Sequence, residues 1–314
     1  MKLAFICAGD IQVPPPAWGA VEILVWEYYN NLLDLGIHPH IYNSKNLSWV
    51  KSEIEKNNFD LVHLQHEDLL PYLHDVKTKK LAVTSHCGWA ENYEHYYPYY
   101  WKTFKHILNG NHYIFALSEQ IKNNYLNFGF DSNKAFITKN GVNTQNYRVT
   151  NTPKYHDRSL YLGKIEFRKR QYLVSDKNLN IDFAGFGDTL NLSSTNKLLG
   201  QWTKDKVYNE TTEYANLILL SISEAHALVC MEALASGLGL VISEKSTANL
   251  DLTKKFITVI PEEKINDLQY LKEKIESNRE YSINNRKEIV EYAKSFDWKI
   301  VTKEYLETVQ KVIN

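Results

Sequence analysis

Short apolar runs of strand length alternate along the chain with longer stretches whose apolar residues recur at helical spacing. "KLAFICAG" reads as a strand, and "VEILVWEYYNNLLDLG" behind it as a helix closed by Gly36. The strands "HPHIYN", "FDLVHLQ", "LAVTSHC", "YIFALS" and "KAFITKNGV" follow, with "LSWVKSEIEKNN", "YWKTFKHILNG" and "EQIKNNYLNFG" as helices between them. A polar stretch containing Pro153, "NTQNYRVTNTPKYHDR", then breaks the rhythm as an interdomain connection does. Strands resume at "SLYLGKI", "NIDFAGFG", "ANLILLSIS", "GLVISE" and "FITVIPE", with a helix at "CMEALASG" ending on Gly237. The final "FDWKIVTKEYLETVQKVIN" carries apolar or aromatic residues at 298, 301, 305, 309 and 312, one stripe of a terminal helix. This alternation predicts an α/β protein of two doubly wound, Rossmann-like domains, residues 1–147 and 148–314, each a mostly parallel sheet covered on both faces. Such sheets bind ligands beyond the C-terminal ends of their strands, so the chemistry is expected in loops after strands, in a cleft between the domains.

Composition narrows the classes without choosing one. With 36 basic against 37 acidic residues and a net charge of -1, bulk electrostatics favour neither nucleic acid nor an anionic membrane. A nucleic-acid acceptor and peripheral membrane contact both stay open, because a local basic groove is invisible at this level. Cys7, Cys87 and Cys230 are far apart and form no CxxC, the usage of reduced thiols in a cytoplasmic compartment, with no metal site suggested. The first apolar run is too short for a secretion signal or a membrane span.

The chemistry starts from two glutamates in "SEAHALVCMEALASG": Glu224, just after an apolar run, and Glu232, inside the next helix. Eight positions on one helix axis separate two carboxylates by roughly 12 Å. That is too far for the paired acids of glycoside hydrolysis and suits the two ends of an elongated ligand. If the helix starts near Ala227, the free N–H groups of Ala227, Leu228 and Val229 make an anion site between the two carboxylates. Glu232 could then hold a ribose and Glu224 sugar hydroxyls, since a carboxylate accepts from vicinal hydroxyls. Taken alone, the same spacing also fits a helix cap and an exposed helix residue.

In company, the pattern E-x7-E-A-x-A-x-G after a strand resembles the signature of retaining glycosyltransferases of family 4 (glycosyl transferases group 1), which have the GT-B architecture. The resemblance implies two Rossmann-like domains facing across a cleft, with the last helix, about 297–314, crossing back onto an acceptor-binding first domain. It implies transfer of a sugar from a nucleoside diphosphate sugar to a hydroxyl acceptor such as a glycan or lipid-linked sugar, with retained configuration, no metal and no cofactor. "YLGKIEFRKRQ" is similar to the family's GR-x4-K element, so Lys164, in the arginine place, and Lys169 are expected at the diphosphate. "TSHCGW" resembles the T-x-H segment, which gives His86 a place at the transferred sugar or its leaving phosphate, beside Glu224 as the fourth catalytic group. "PPPAWGAVE" resembles the Gly-Gly loop with Gly19 kept and Ala20 in the second place, and "AGFGD" the glycine turn that brings Gly187 near the donor. "LLGQWTKD" resembles the base-binding segment with Trp202 as a stacking wall, and His226 joins the donor site just ahead of Ala227, where the family has glycine. "FDLVHLQHED" resembles the D-x-V-H-x-H strand end, and "TKNGVNTQNY" the hinge. The aromatic stretch "HCGWAENYEHYYPYYWKTFKH" suits stacking on an acceptor ring, and closure of the domains would exclude water. A nucleotide-sugar-binding protein without turnover, or an enzyme of this architecture with another reaction such as epimerisation, fits the departures at Ala20, Lys164 and Ala227.

Overall fold

A computed structural model describes residues 1–15, 19–86 and 93–314, and for 93–97 and 99 the backbone alone. The chain divides into two compact units, Met1–Asn140 with Trp298–Asn314, and Gly141–Asp297. The division falls ahead of the boundary placed at 147 because Val142 and Tyr147 pack into the core of the second unit. The segment from Trp298 groups with the first unit.

In the first unit the strands are β1 (Leu3–Cys7), β2 (His40–Asn43), β3 (Leu61–Leu64), β4 (Leu81–Ser85), β5 (Tyr113–Ala116) and β6 (Ala135–Ile137). They form one parallel sheet in the order β2-β1-β3-β4-β5-β6. Every residue of β1, β3 and β4 is buried, which is why these strands read as unbroken apolar runs. Helices α1 (Ala20–Asp34), α2 (Leu47–Asn57), α3 (Leu70–Leu73), α4 (Tyr93–Asn109) and α5 (Glu119–Asn127) connect them. Asn46 and Ser118 cap α2 and α5 through bonds from the Trp49 and Ile121 N–H groups. Pro98 lies inside α4, and the backbone leaves helical geometry at Tyr100. The terminal helix, Trp298–Ile313, lies along α1, where the Tyr28 ring meets Trp298 at 4.9 Å and Tyr305 at 4.6 Å between centroids.

The second unit has β7 (Tyr155–Leu162), β8 (Ile181–Ala184), β9 (Lys197–Gly200), β10 (Tyr214–Leu219), β11 (Gly239–Ser243) and β12 (Ile257–Ile260), parallel in the order β12-β11-β10-β7-β8-β9. Its helices are α6 (Lys204–Glu210), α7 (Leu228–Ala235), α8 (Leu268–Asn284) and α9 (Arg286–Ala293). The crossover from β7 to β8 runs through single 3₁₀ turns at Phe167–Lys169 and Gln171–Leu173. In each sheet the order reverses once, between β1 and β3 in the first and between β7 and β10 in the second. A crevice opens beyond the carboxyl ends of the strands at such a reversal. Among the described residues no helix is long and apolar enough to cross a membrane. Cys7 and Cys230 are free and buried; Cys87 lies outside the described residues.

Candidate active site

At the β7/β10 reversal the backbone is fixed before any side chain reaches the site. The buried Tyr161 hydroxyl donates to the Lys169 carbonyl and accepts from the Leu220 N–H at 2.9 Å, tying the loop after β7 to the end of β10. Ile222 N–H donates to the Arg168 carbonyl at 2.8 Å, and Gln171 Nε2 to the Lys164 carbonyl at 2.8 Å. On this frame Lys169 Nζ lies 2.5 Å from Glu224 Oε1. Arg168 Nη1 donates to the Ser223 carbonyl at 2.7 Å and to the same carboxylate oxygen at 3.2 Å. The Glu224 side chain is only 10% exposed. Burial pushes its carboxyl up, but Lys169 and Arg168 together outweigh burial and hold it below the usual carboxylate range.

Lys164 does not join this pair. Its side chain is 58% exposed and its ammonium pairs with Glu166 at 3.2 Å, while Arg168 takes the second place at Glu224 and also bonds Glu166 at 3.0 Å. The 3₁₀ turn at Phe167–Lys169 carries the chain back to the end of β10, and this presents residues 168 and 169, not 164, to the carboxylate.

Ala227 stands at the N-cap of α7 with no side-chain cap, so Leu228 and Val229 form a first turn whose amides no side chain satisfies from the cap. His226 is buried, its ring 6.0 Å from that of Phe296. Further along α7, Glu232 Oε1 is held by Lys204 Nζ at 2.5 Å and by the Tyr147 hydroxyl at 3.2 Å. Gly187 has φ 136° and bridges to Ile165; a Cβ there would stand 2.0 Å from the Ile165 carbonyl oxygen. The glycine is therefore required for the glycine turn to pack on the loop that carries Lys164. Trp202 is 8% exposed and belongs to the core beside Tyr214, with Lys206 Nζ 5.1 Å from its ring centroid. Its ring is packed rather than standing open as a stacking wall.

In the first unit, Gly19 has φ 132° at the N-cap of α1, where a Cβ would meet Glu22 Oε2 at 2.9 Å. The histidines after and within the strands differ in kind. His63, in β3, is satisfied on both nitrogens, by Thr84 Oγ1 at 2.6 Å and Tyr305 Oη at 3.0 Å, and burial drives its imidazole down to about 3. His86 follows β4; burial, aided by His66 and His63, lowers it to about 3. His66 is lowered chiefly by burial, against the opposing carboxylates of Glu22, Asp68 and Asp10. The His66 and His86 rings lie 6.2 Å apart between centroids. Of the aromatic stretch expected to stack on an acceptor, residues 87–92 lie outside the described residues; Trp101 is exposed, with Lys102 Nζ 5.7 Å from its ring. Sequence reasoning gave no role to Lys204, Tyr147 or Gln65, although each lies in one of the quoted segments, "LLGQWTKD", "TKNGVNTQNY" and "FDLVHLQHED". Arg168 stood only as a letter within "YLGKIEFRKRQ", where Lys164 and Lys169 drew the roles. Among the described residues no group of three His, Cys, Asp or Glu side chains converges as a metal site.

Residues 21–146 match the family model Glycosyltransferase Family 4. No curated protein matches the chain by sequence. Among solved structures, sucrose-phosphate synthase from Thermosynechococcus elongatus is similar with a TM-score of 0.81 at 14% identity, over 99% of this chain and 98% of that one. HepE of Anabaena in complex with UDP-glucose gives a TM-score of 0.78 at 12% identity, over 99% of both chains. The lipopolysaccharide outer core galactosyltransferase WaaB gives 0.73 at 14% identity, again over 99% of both. At these identities the structural likeness carries the fold. The chain has the GT-B fold of two Rossmann-like domains, and its residues 21–146 match the Glycosyltransferase Family 4 model, a span that ends ahead of the Glu224 and Glu232 signature.

Proposed function

We propose that the protein transfers a sugar from a nucleoside diphosphate sugar to a hydroxyl acceptor that itself contains sugar, with retention of configuration and without a metal. The observation that carries this reading is the Lys169–Glu224–Arg168 cluster at the β7/β10 reversal, a few residues ahead of the uncapped start of α7. Cleaving a nucleotide sugar leaves charge on the departing diphosphate, and catalysis needs fixed positive groups where that charge develops. Lys169, Arg168 and the Leu228 and Val229 amides are such groups. A bound diphosphate competes for Lys169 and Arg168, which frees Glu224 to accept from sugar hydroxyls. Glu232 is fixed through Oε1 by Lys204 and Tyr147 and offers Oε2 to a ribose hydroxyl.

In the proposed step the acceptor oxygen attacks the anomeric carbon on the face the diphosphate leaves. The bond to the leaving oxygen breaks, and the acceptor proton passes to that oxygen. UDP-glucose and UDP are bound by solved structures of this fold, which makes uridine nucleotides the first donors to try.

The test is calorimetry with UDP, GDP, ADP and TDP and their common sugars, with EDTA present, followed by NMR of the product's anomeric linkage. Selective binding and an anomer matching the donor support the proposal. Tight binding with no sugar-dependent release of nucleotide supports a binding protein instead, a reading favoured by Lys164 being engaged with Glu166. An inverted anomer or loss of turnover with EDTA overturns retention or metal independence respectively.

A further inference from the structure

Three buried side-chain nitrogens at the carboxyl end of the first sheet, Gln65 Nε2, His66 Nε2 and His86 Nε2, have no hydrogen-bond partner among the described residues. Leaving a buried donor or acceptor unmade costs about 1–3 kcal/mol, so natural folds rarely tolerate several together without use. Gln65 and His66 directly follow β3 and His86 directly follows β4, and these strands are parallel neighbours, with Leu64 beside Val83. All three therefore emerge at the carboxyl ends of adjacent strands, next to the β1/β3 reversal. The Gln65 N–H donates to the Ile6 carbonyl at 2.9 Å, and the residue is 2% exposed. Its carboxamide nitrogen is buried without a partner. His63, in the same strand, shows the contrast of a histidine with both nitrogens used inside the fold.

The surroundings decide what chemistry would complete the trio. The neighbouring charged groups are acidic: Glu22 and Asp10 both act on His66, and the nearby cation Lys45 is paired with Asp10 at 2.7 Å. Both histidines are uncharged at neutral pH, because burial holds them down. A phosphate would meet no uncommitted cation from these groups. A hydroxyl both donates and accepts, and so fits a carboxamide N–H and imidazole nitrogens of either tautomer.

We propose that Gln65 and His66, with His86, form a hydroxyl-reading subsite for a neutral sugar ring, in which Gln65 and His66 set which hydroxyl configuration is accepted. The inference rests on the glycosyltransferase reading above. The ring can come from the donor or from the acceptor.

The test uses the full chain with Gln65→Met and His66→Phe, each preserving bulk, and Gln65→Asn as a second variant that withdraws the nitrogen by one methylene. Calorimetry compares UDP, GDP and ADP with UDP-glucose, UDP-galactose, GDP-mannose and ADP-glucose, then titrates free glucose, galactose and mannose into nucleotide-loaded protein. Variants with melting temperatures close to the parent are carried forward. The affinity for bare nucleotide is expected to stay unchanged. If the ring is the donor's, the affinity gained from the attached sugar drops about fivefold per lost bond; if it is the acceptor's, hexose binding weakens by that factor instead. Variants that match the parent in both arms overturn the subsite. A parent chain that binds no nucleotide overturns the glycosyltransferase reading, and the same hexoses titrated into the unloaded chain and its variants then decide the subsite.

Discussion

Glu67, the residue after His66, gives a pH dependence whose sign and size follow from its burial. Its carboxylate lies in the first unit, with the Tyr125 hydroxyl between it and Ser85 Oγ, 3.0 Å from the latter. Burial raises the carboxyl from its ordinary 4.5 to about 7, against the opposing hydrogen bonds of Ser85 and Tyr125. Below the ordinary value both folded and unfolded chains hold the proton, and the stabilisation from this group is complete. As pH rises toward 7 the unfolded chain gives up its proton while the fold keeps it, so stability falls, then levels off once the fold has ionised too. At about 1.4 kcal/mol per pH unit of altered affinity, the fall amounts to roughly 3 kcal/mol. His63 and His86, held neutral in the fold, act with the opposite sign: they cost stability as pH drops below their ordinary value of 6.5. Glu67→Gln removes only the first effect, because the histidines remain in both proteins. The variant is therefore expected to gain about 3 kcal/mol relative to the parent between pH 4.5 and pH 8. Because the chain has two units, the reading is taken from amide exchange of β3 and β4 peptides under denaturant, which reports the first unit by itself. A parent-to-variant difference that does not change with pH would refute the reasoning.

Three other outcomes follow from the second unit. Lys169→Ala removes a cation from the proposed diphosphate site and from the buried Glu224, and is expected to lower kcat about 100-fold with a smaller change in donor KM, read from initial rates. Glu232→Ala should weaken binding of the bare nucleotide about tenfold by calorimetry while leaving the fold intact, because the carboxylate is partly exposed and Lys204 can turn to solvent. Gly187→Ala would force a methyl against the Ile165 carbonyl and a positive φ on an L residue, and is expected to cost about 2–3 kcal/mol in urea unfolding of the second unit.

How much of this was legible follows from what each feature depends on. The strands β1, β3, β4 and β10 are buried along their whole length, so hydrophobicity alone marks them. The edge strand β9, "KLLG", is mostly exposed and carries no such run, and the sequence reading took it for part of a ligand-binding segment. The first half of β7 was read as linker for the same reason: Tyr155 to Arg158 are polar or aromatic and only partly covered. Glu224 and Glu232 were singled out because their spacing falls on a strand end and a helix. Spacing failed at Lys164, since a 3₁₀ turn and the left-handed Arg170 decide which cation faces the carboxylate, and neither shows in residue order. Trp202 was ambiguous as a type, and only its burial settles its place. Gln65 stayed invisible because its interest lies in a bond not made, which requires knowing every neighbour.

His63 links Thr84 in β4 to Tyr305 near the end of the chain, and Tyr28 on α1 packs against the same terminal helix. One layer of the first unit is thus synthesised only after the whole of the second unit. While the second unit leaves the ribosome, the first must wait with its β3 histidine half-bonded and the Tyr28 face of α1 bare. The unit encoded second is the one that can finish folding first. A nonsense mutation shortly before Trp298 should accordingly leave the Glu224 side of the molecule standing and cripple the half that begins with residue 1.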